Sequence, residues 1–112
     1  MNTRTIEDCI IFLDSLTDEI HVSVIDTGVG LLKFIYNVIP KIPMPSIGVG
    51  PDGMIGMTWQ TNEKHLNIEV YPDLHLELFF ENLVTGELWS QDTETGISPE
   101  FIRELKSIYI EG

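Results

Sequence analysis

Residues 69–81 read EVYPDLHLELFFE, and Glu69, Tyr71, His75, Glu77, Phe79 and Glu81 alternate with Val70, Leu76, Leu78 and Phe80. If two strands meet at Pro72-Asp73-Leu74, the polar set shares the face turned away from the core. Glu69 then stands opposite Glu77, and Tyr71 opposite His75. Like charges directly opposite one another are unfavourable. That arrangement suits a metal ion held by His75, Glu69 and Glu77, or a carboxylate pair with one raised pKa. It also suits a solvated sheet face with both carboxylates in water, which is the simpler reading because metal sites usually need three or four converging ligands. A third reading takes Glu69, Tyr71, His75, Glu77, Phe79 and Glu81 as a protein-binding surface, with an aromatic ring set among acids.

A second stretch, GVGPDG at 48–53, has the G-x-G-x-x-G spacing of a dinucleotide loop. Such a loop needs a strand before it, a helix after it and free backbone N–H groups aimed at phosphate. Here an alternating, strand-like stretch follows, and Pro51 removes one donor. Gly50-Pro51-Asp52-Gly53 fits a type I turn with glycine free to take positive φ at its end. The expectation is a three-residue hairpin loop with a bulge.

Other chemistry-bearing residues give no enzyme signature. His21 and His65 have no partner spacing. Cys9 is the only cysteine, which excludes an intrachain disulfide, and it lies in CIIFL with no basic residue within four positions. It reads as a small buried hydrophobe rather than a reactive thiol. Trp59 and Trp89 read as core and core-edge aromatics. The expectation is a protein without a cofactor and without catalysis.

Charge is the dominant feature of the composition. Six basic residues against 18 acidic ones give a net charge of −12. Such a surface repels phosphate backbones and anionic membranes. The bases Arg4, Lys33, Lys41, Lys64, Arg103 and Lys106 are scattered, so direct nucleic-acid binding is not expected. The acidity serves solubility, or it attracts a basic partner. No apolar run approaches the ~20 residues that span a bilayer. MNTRTIEDC carries acids early and has no basic region followed by an apolar stretch, so a cytoplasmic protein without a signal peptide is expected.

The elements that must position these residues follow from periodicity. At 112 residues the chain is expected to form one domain. Ile6, Ile10, Leu13 and Leu16 recur at helical spacing over 5–16, with Glu7 and Asp8 in the first turn. Thr17-Asp18-Glu19 is placed to cap a second helix. Leu31, Leu32, Phe34, Ile35, Val38 and Ile39 predict a helix over 29–39. The stretch 20–26 alternates from Ile20 to Val24 and is either the earlier part of that helix or a short strand, with Gly28 and Gly30 between. Residues 1–39 form the helical part. Pro40, Pro43 and Pro45 make 40–45 a stiff connector.

From Ser46 the period becomes two. Pairing Val49 with Ile55 and Ile47 with Met57, then Trp59 with Leu66, Met57 with Ile68 and Ile55 with Val70, then Val70 with Leu76, Ile68 with Leu78 and Leu66 with Phe80, puts every apolar residue on one face. A slip of one residue at any turn breaks that agreement. A fifth strand is expected near Leu88–Gln91 without a legible register, so the meander covers 46–91. Ser98-Pro99-Glu100 starts a C-terminal helix over 98–110. Its stripe is Phe101, Leu105 and Ile108, with Ile102 and Tyr109 beside it. The fold class is α+β: N-terminal helices, an antiparallel four- to five-stranded meander and a C-terminal helix, with the helices covering the apolar sheet face.

Pro40, Pro43, Pro45, Ile47, Pro51, Asp52, Gly53, Ile55 and Trp59 lie in a segment, residues 34–59, that resembles one found in a family of small uncharacterised bacterial proteins. The resemblance covers about a quarter of the chain. It implies a bacterial or phage origin and a helix-plus-meander fold, and it carries no catalytic residue. Charge and the lack of a catalytic constellation together point to a non-catalytic acidic protein-binding module acting on a basic protein partner, in the manner of an antitoxin, immunity protein or phage inhibitor. A small metal-dependent protein using His75, Glu69 and Glu77 is the first alternative. A self-associating structural subunit, a homo-oligomer through a sheet edge or the Phe79 face, is the second.

Overall fold

Helix α1 (Ile6–Asp14) begins at a reciprocal cap. In the computed structural model, which describes residues 5–94 and 96–111, the Asp8 N–H donates to Thr5 Oγ1 and the Thr5 N–H donates to Asp8 Oδ2, both at 3.1 Å. Two otherwise orphaned donors are satisfied this way. The helix buries Cys9 and Leu13 and ends at Ser15.

The second helix begins later than Thr17-Asp18-Glu19, which lie in a turn instead. His21 is the cap: its Nδ1 accepts from the Ser23 N–H at 3.1 Å, and α2 runs Val22–Val38. The stretch 20–26 is thus largely the first part of this helix. Its apparent alternation mixes two faces, since Ile20 and Val24 are buried while Val22 is exposed. The buried stripe continues through Ile25, Gly28, Leu32 and Ile35, which is the helical period. Gly28 lies on that stripe, where a Cβ would rest 3.7 Å from Leu13 Cδ1 and 3.9 Å from Ile55 Cδ1. α1, α2 and the sheet meet there.

Pro40 follows the C-cap Ile39, and residues 42–45 lead without regular structure into the sheet. Trp59 Nε1–H donates to the Pro43 carbonyl at 2.8 Å and pins this connector to the sheet. The strands are β1 (Ser46–Val49), β2 (Ile55–Gln60), β3 (Lys64–Val70), β4 (Leu76–Asn82) and β5 (Leu88–Thr93). They pair antiparallel in chain order, β1-β2-β3-β4-β5. Every cross-strand pair expected for β1 to β4 is present, from Val49 with Ile55 to Leu66 with Phe80. Burial follows the register except at the β1 edge: Ile55, Met57, Trp59, Leu66, Ile68, Val70, Leu76, Leu78 and Phe80 are buried, whereas Val49 is exposed and Ile47 half-buried. β5 sets Trp89 against Phe80, Gln91 against Leu78 and Asp92 against Glu77.

The GVGPDG stretch is the β1–β2 hairpin turn. Gly50 N–H donates to the Met54 carbonyl at 2.9 Å across the three residues Pro51-Asp52-Gly53, and Gly53 takes φ +79°. Glycine reaches that left-handed conformation without the Cβ penalty other residues meet.

α3 (Pro99–Glu111) starts as its sequence predicts, with Phe101 N–H donating to Ser98 Oγ at 3.2 Å. Phe101 and Leu105 are fully buried. The side chains of 108–111, Ile108 and Tyr109 of the expected stripe among them, lie outside the described residues. The Phe101 ring stands edge-on to Trp89 at 6.5 Å, and Trp89 lies 5.3 Å from Phe80. Lys64 ties the helix to β3 through Glu104 at 3.4 Å and Ser107 Oγ at 2.5 Å. The three helices and the inner sheet face share one apolar core. This is the α+β architecture that the periodicity implied. Among the described residues no helix is long and apolar enough to cross a membrane.

Candidate functional site

Opposite the helices lies the outer sheet face, where β3, β4 and β5 bring Glu69, Glu77 and Asp92 into one row. Glu69 pairs with Glu77, and Glu77 with Asp92. The next row is Asn67, Phe79 and Ser90, and the one beyond is His65, Glu81 and Leu88. Most of these side chains are half-buried by their neighbours along the pleat, while Leu88, Ser90 and Asp92 on the edge strand are exposed.

The β3–β4 turn positions His75 at one end of the acidic row. Pro72-Asp73-Leu74 repeats the Pro-Asp-x loop of the first hairpin: Tyr71 N–H donates to the His75 carbonyl at 3.1 Å, and the third loop residue again has positive φ. Here that residue is Leu74, at φ +72°. A leucine in this region costs about 1–2 kcal/mol, and the surrounding hydrogen bonds hold it there. The loop directs Asp73 back at His75. Asp73 Oδ1 accepts from the His75 backbone N–H at 3.1 Å and from His75 Nδ1 at 2.5 Å. The other ring nitrogen, Nε2, lies 3.4 Å from Asp92 Oδ1. The Tyr71 and His75 rings stack with centroids 4.5 Å apart and planes 1° from parallel. Tyr71 O–H donates to Glu69 Oε1 at 2.6 Å.

The electrostatics follow from these contacts. Asp73 is held below its ordinary pKa, first by the His75 backbone N–H and then by the His75 ring. His75 is raised above its ordinary value, chiefly by its hydrogen bond to Asp73; partial desolvation opposes this, and the charges of Asp73, Asp92 and Glu77 reinforce it. The Tyr71 hydroxyl is pushed up, chiefly because it donates to Glu69, with desolvation and the charges of Glu69 and Glu77 adding to this. Tyr71 thus stays protonated and serves as a hydrogen-bond donor rather than a base.

Of the residues expected at this face, Glu69, Tyr71, His75 and Glu77 do come together. Phe79 and Glu81 share the face but sit one and two rows away. Phe79 contacts His65 edge-on at 5.7 Å. Glu69 is engaged by Tyr71, and among the described residues the groups whose ligand atoms converge are His75, Glu77 and Asp92, all within 4.8 Å of one another. Asp73, His75, Asp92, Thr93 and Glu94 line an open depression of about 330 Å³ beside them. Asp92 and Asp73 are the residues that sequence reasoning missed. The alternation of β5 was too weak to set Asp92 opposite Glu77, and Asp73 was read only as a turn former.

The His75 arrangement has a direct solution test. In chelator-containing buffer, NMR titration of the full chain is expected to give His75 a pKa above 6.5, its ordinary value. Asp73→Asn is expected to lower it. For a group raised on folding, the stability it contributes is fully present below the unfolded pKa and is lost as pH rises through the folded value. The Asp73–His75 contact therefore strengthens the fold on the acid side of that window. An unchanged His75 midpoint in Asp73→Asn would show that the contact does not form in solution.

The chain matches no protein-family model, no curated protein and no solved structure.

Proposed function

We propose that this protein is a non-catalytic, acidic binding module of the cytoplasm, whose outer sheet face docks a basic protein surface in the manner of an antitoxin, immunity protein or phage inhibitor. One observation carries the reading. The face opposite the helices sets Glu69, Glu77 and Asp92 in a single row, with Asp73 in the adjoining turn and Glu81 two rows away, and no lysine or arginine points outward from the strands there. Lys64, the one strand base, is bound to α3 through Glu104 and Ser107. A row of like charge held rigid by sheet register is unfavourable in isolation and is relieved by a cationic partner. Phe79 beside the row offers an aromatic anchor of the kind enriched at interface centres. The net charge of −12 extends the same field over the whole surface and would steer a basic partner from a distance.

The test is a charge reversal confined to the face. Glu69→Lys/Glu77→Lys is compared with wild type and with a control of equal charge change on the helices, Asp14→Lys/Asp26→Lys. The three proteins are used to capture partners from an extract of the source cells at low and high salt. A basic protein held at low salt by wild type and the control, released by salt and not held by the face variant, is the expected result. Its association rate with the face variant should be lower by roughly 10-fold or more. Capture of the same proteins by all three would overturn the assignment of this face.

A further inference from the structure

At the β4–β5 end of the acidic row the geometry is more specific than charge alone. Asp73 Oδ1 faces two nitrogens of His75, the backbone N–H at 3.1 Å and Nδ1 at 2.5 Å; a carboxylate oxygen is an acceptor, so Nδ1 carries the proton of that contact. In the neutral ring Nε2 is then the acceptor, on the side of Asp92 at 3.4 Å. Antiparallel pairing puts Glu77 of β4 directly across from Asp92 of β5. One ring nitrogen and one oxygen from each carboxylate lie within 4.8 Å of each other. Three acceptors converging without a cation repel one another.

Ligands bound at about 2.0–2.2 Å to one zinc ion lie roughly 3.3–3.6 Å apart in a tetrahedron; the His75 Nε2 to Asp92 Oδ1 separation of 3.4 Å already has that span, and the set as a whole lies within 4.8 Å. The Asp73–His75 pair is itself the arrangement that orients a metal-binding imidazole: the carboxylate fixes the tautomer and leaves Nε2 as ligand. The donor set distinguishes among metals. One imidazole and two carboxylates suit the zinc class, whereas calcium takes six to eight oxygens and magnesium demands near-octahedral oxygen geometry. The depression lined by Asp73, Asp92, Thr93 and Glu94 leaves room for water or an incoming donor at a fourth position.

We propose that His75, Glu77 and Asp92 bind one divalent ion of the zinc class, with Asp73 as the positioning residue that presents Nε2. This inference does not depend on the partner reading, since it rests on three converging ligand atoms and is read with metal alone.

The probe is Zn²⁺ added to the full chain near neutral pH, followed by calorimetry and by NMR of the histidine rings, with circular dichroism to check that each variant is folded. One ion per chain is expected, with the His75 ring perturbed at Nε2. His75→Ala and Asp92→Asn, each removing a ligand, should abolish saturable binding. Asp73→Asn, which leaves all three ligands in place, should weaken it by roughly 10–100-fold. Mg²⁺ at the same concentration should neither bind nor compete. Absence of saturable Zn²⁺ binding would overturn the proposal, leaving a proton on Nε2 as the cation of the cluster. Undiminished binding in His75→Ala and Asp92→Asn, or perturbation of the His21 or His65 ring instead of His75, would overturn it equally.

Discussion

Phe80→Ala is expected to lower the unfolding free energy by about 3–5 kcal/mol, out of a total of order 5–15 kcal/mol for a domain of this kind. Phe80 is 1% exposed and lies on an interior strand between β3 and β5. Its ring packs against Trp89, and Trp89 packs against Phe101 of α3. Deleting the ring opens a cavity over β4 beside Trp89. The paired strands on both sides limit how far the site can collapse. Denaturant unfolding followed by tryptophan fluorescence measures the loss. The adjacent Phe79 gives the contrast: it points to the outer face and touches His65 rather than the core. Phe79→Ala should cost about 1 kcal/mol or less. A larger loss for Phe79→Ala than for Phe80→Ala would mean that the faces of β4 are reversed.

Leu13→Ala is expected to cost about 2–5 kcal/mol and, unlike Phe80→Ala, to act on one element before the rest. α1 is nine residues long, too short to persist alone in water. It buries only Cys9 and Leu13. Leu13 is fully buried and lies beneath Gly28, where the helices and β2 approach. Truncating it removes the larger of the two anchors. Hydrogen exchange should then show the α1 amides losing protection while those of β2 to β4 keep theirs. Equal loss of protection in α1 and in the sheet would show instead that α1 unfolds only with the whole domain.

How much of this was legible in the sequence varied with the kind of constraint. The meander was readable because two hairpin loops of fixed length lock a period-two pattern. Once Val49 faces Ile55, Trp59 faces Leu66 and Val70 faces Leu76, the remaining pairs through Phe80 follow. The start of α2 was not readable. Ile20, Val22 and Val24 mimic a strand because two residues of a helical stripe flank one that faces solvent, and Gly28 looks like a breaker although it lies on the buried stripe, facing Leu13 and Ile55. β5 was visible only as an element. Leu88 faces outward with Ser90 and Asp92, while Gln91 and Thr93 join Trp89 on the inner side, so both faces mix polar and apolar residues and periodicity does not orient the strand. Asp92 was lost with that orientation. The approach of Asp73 to His75 depends on Leu74 adopting a left-handed conformation, which nothing in the identity of leucine announces.

The strand order β1-β2-β3-β4-β5 has a consequence for the speed of folding. Each strand pairs only with its neighbours along the chain, so each new ladder closes a short loop and incurs little closure entropy. A sheet assembled by successive hairpins avoids the long-range searches that slow sandwiches and parallel sheets. The domain should therefore fold rapidly for one so rich in strands. The slower event is the arrival of α2, which lies before the sheet in the chain and has to settle across β2 and β3 once they exist.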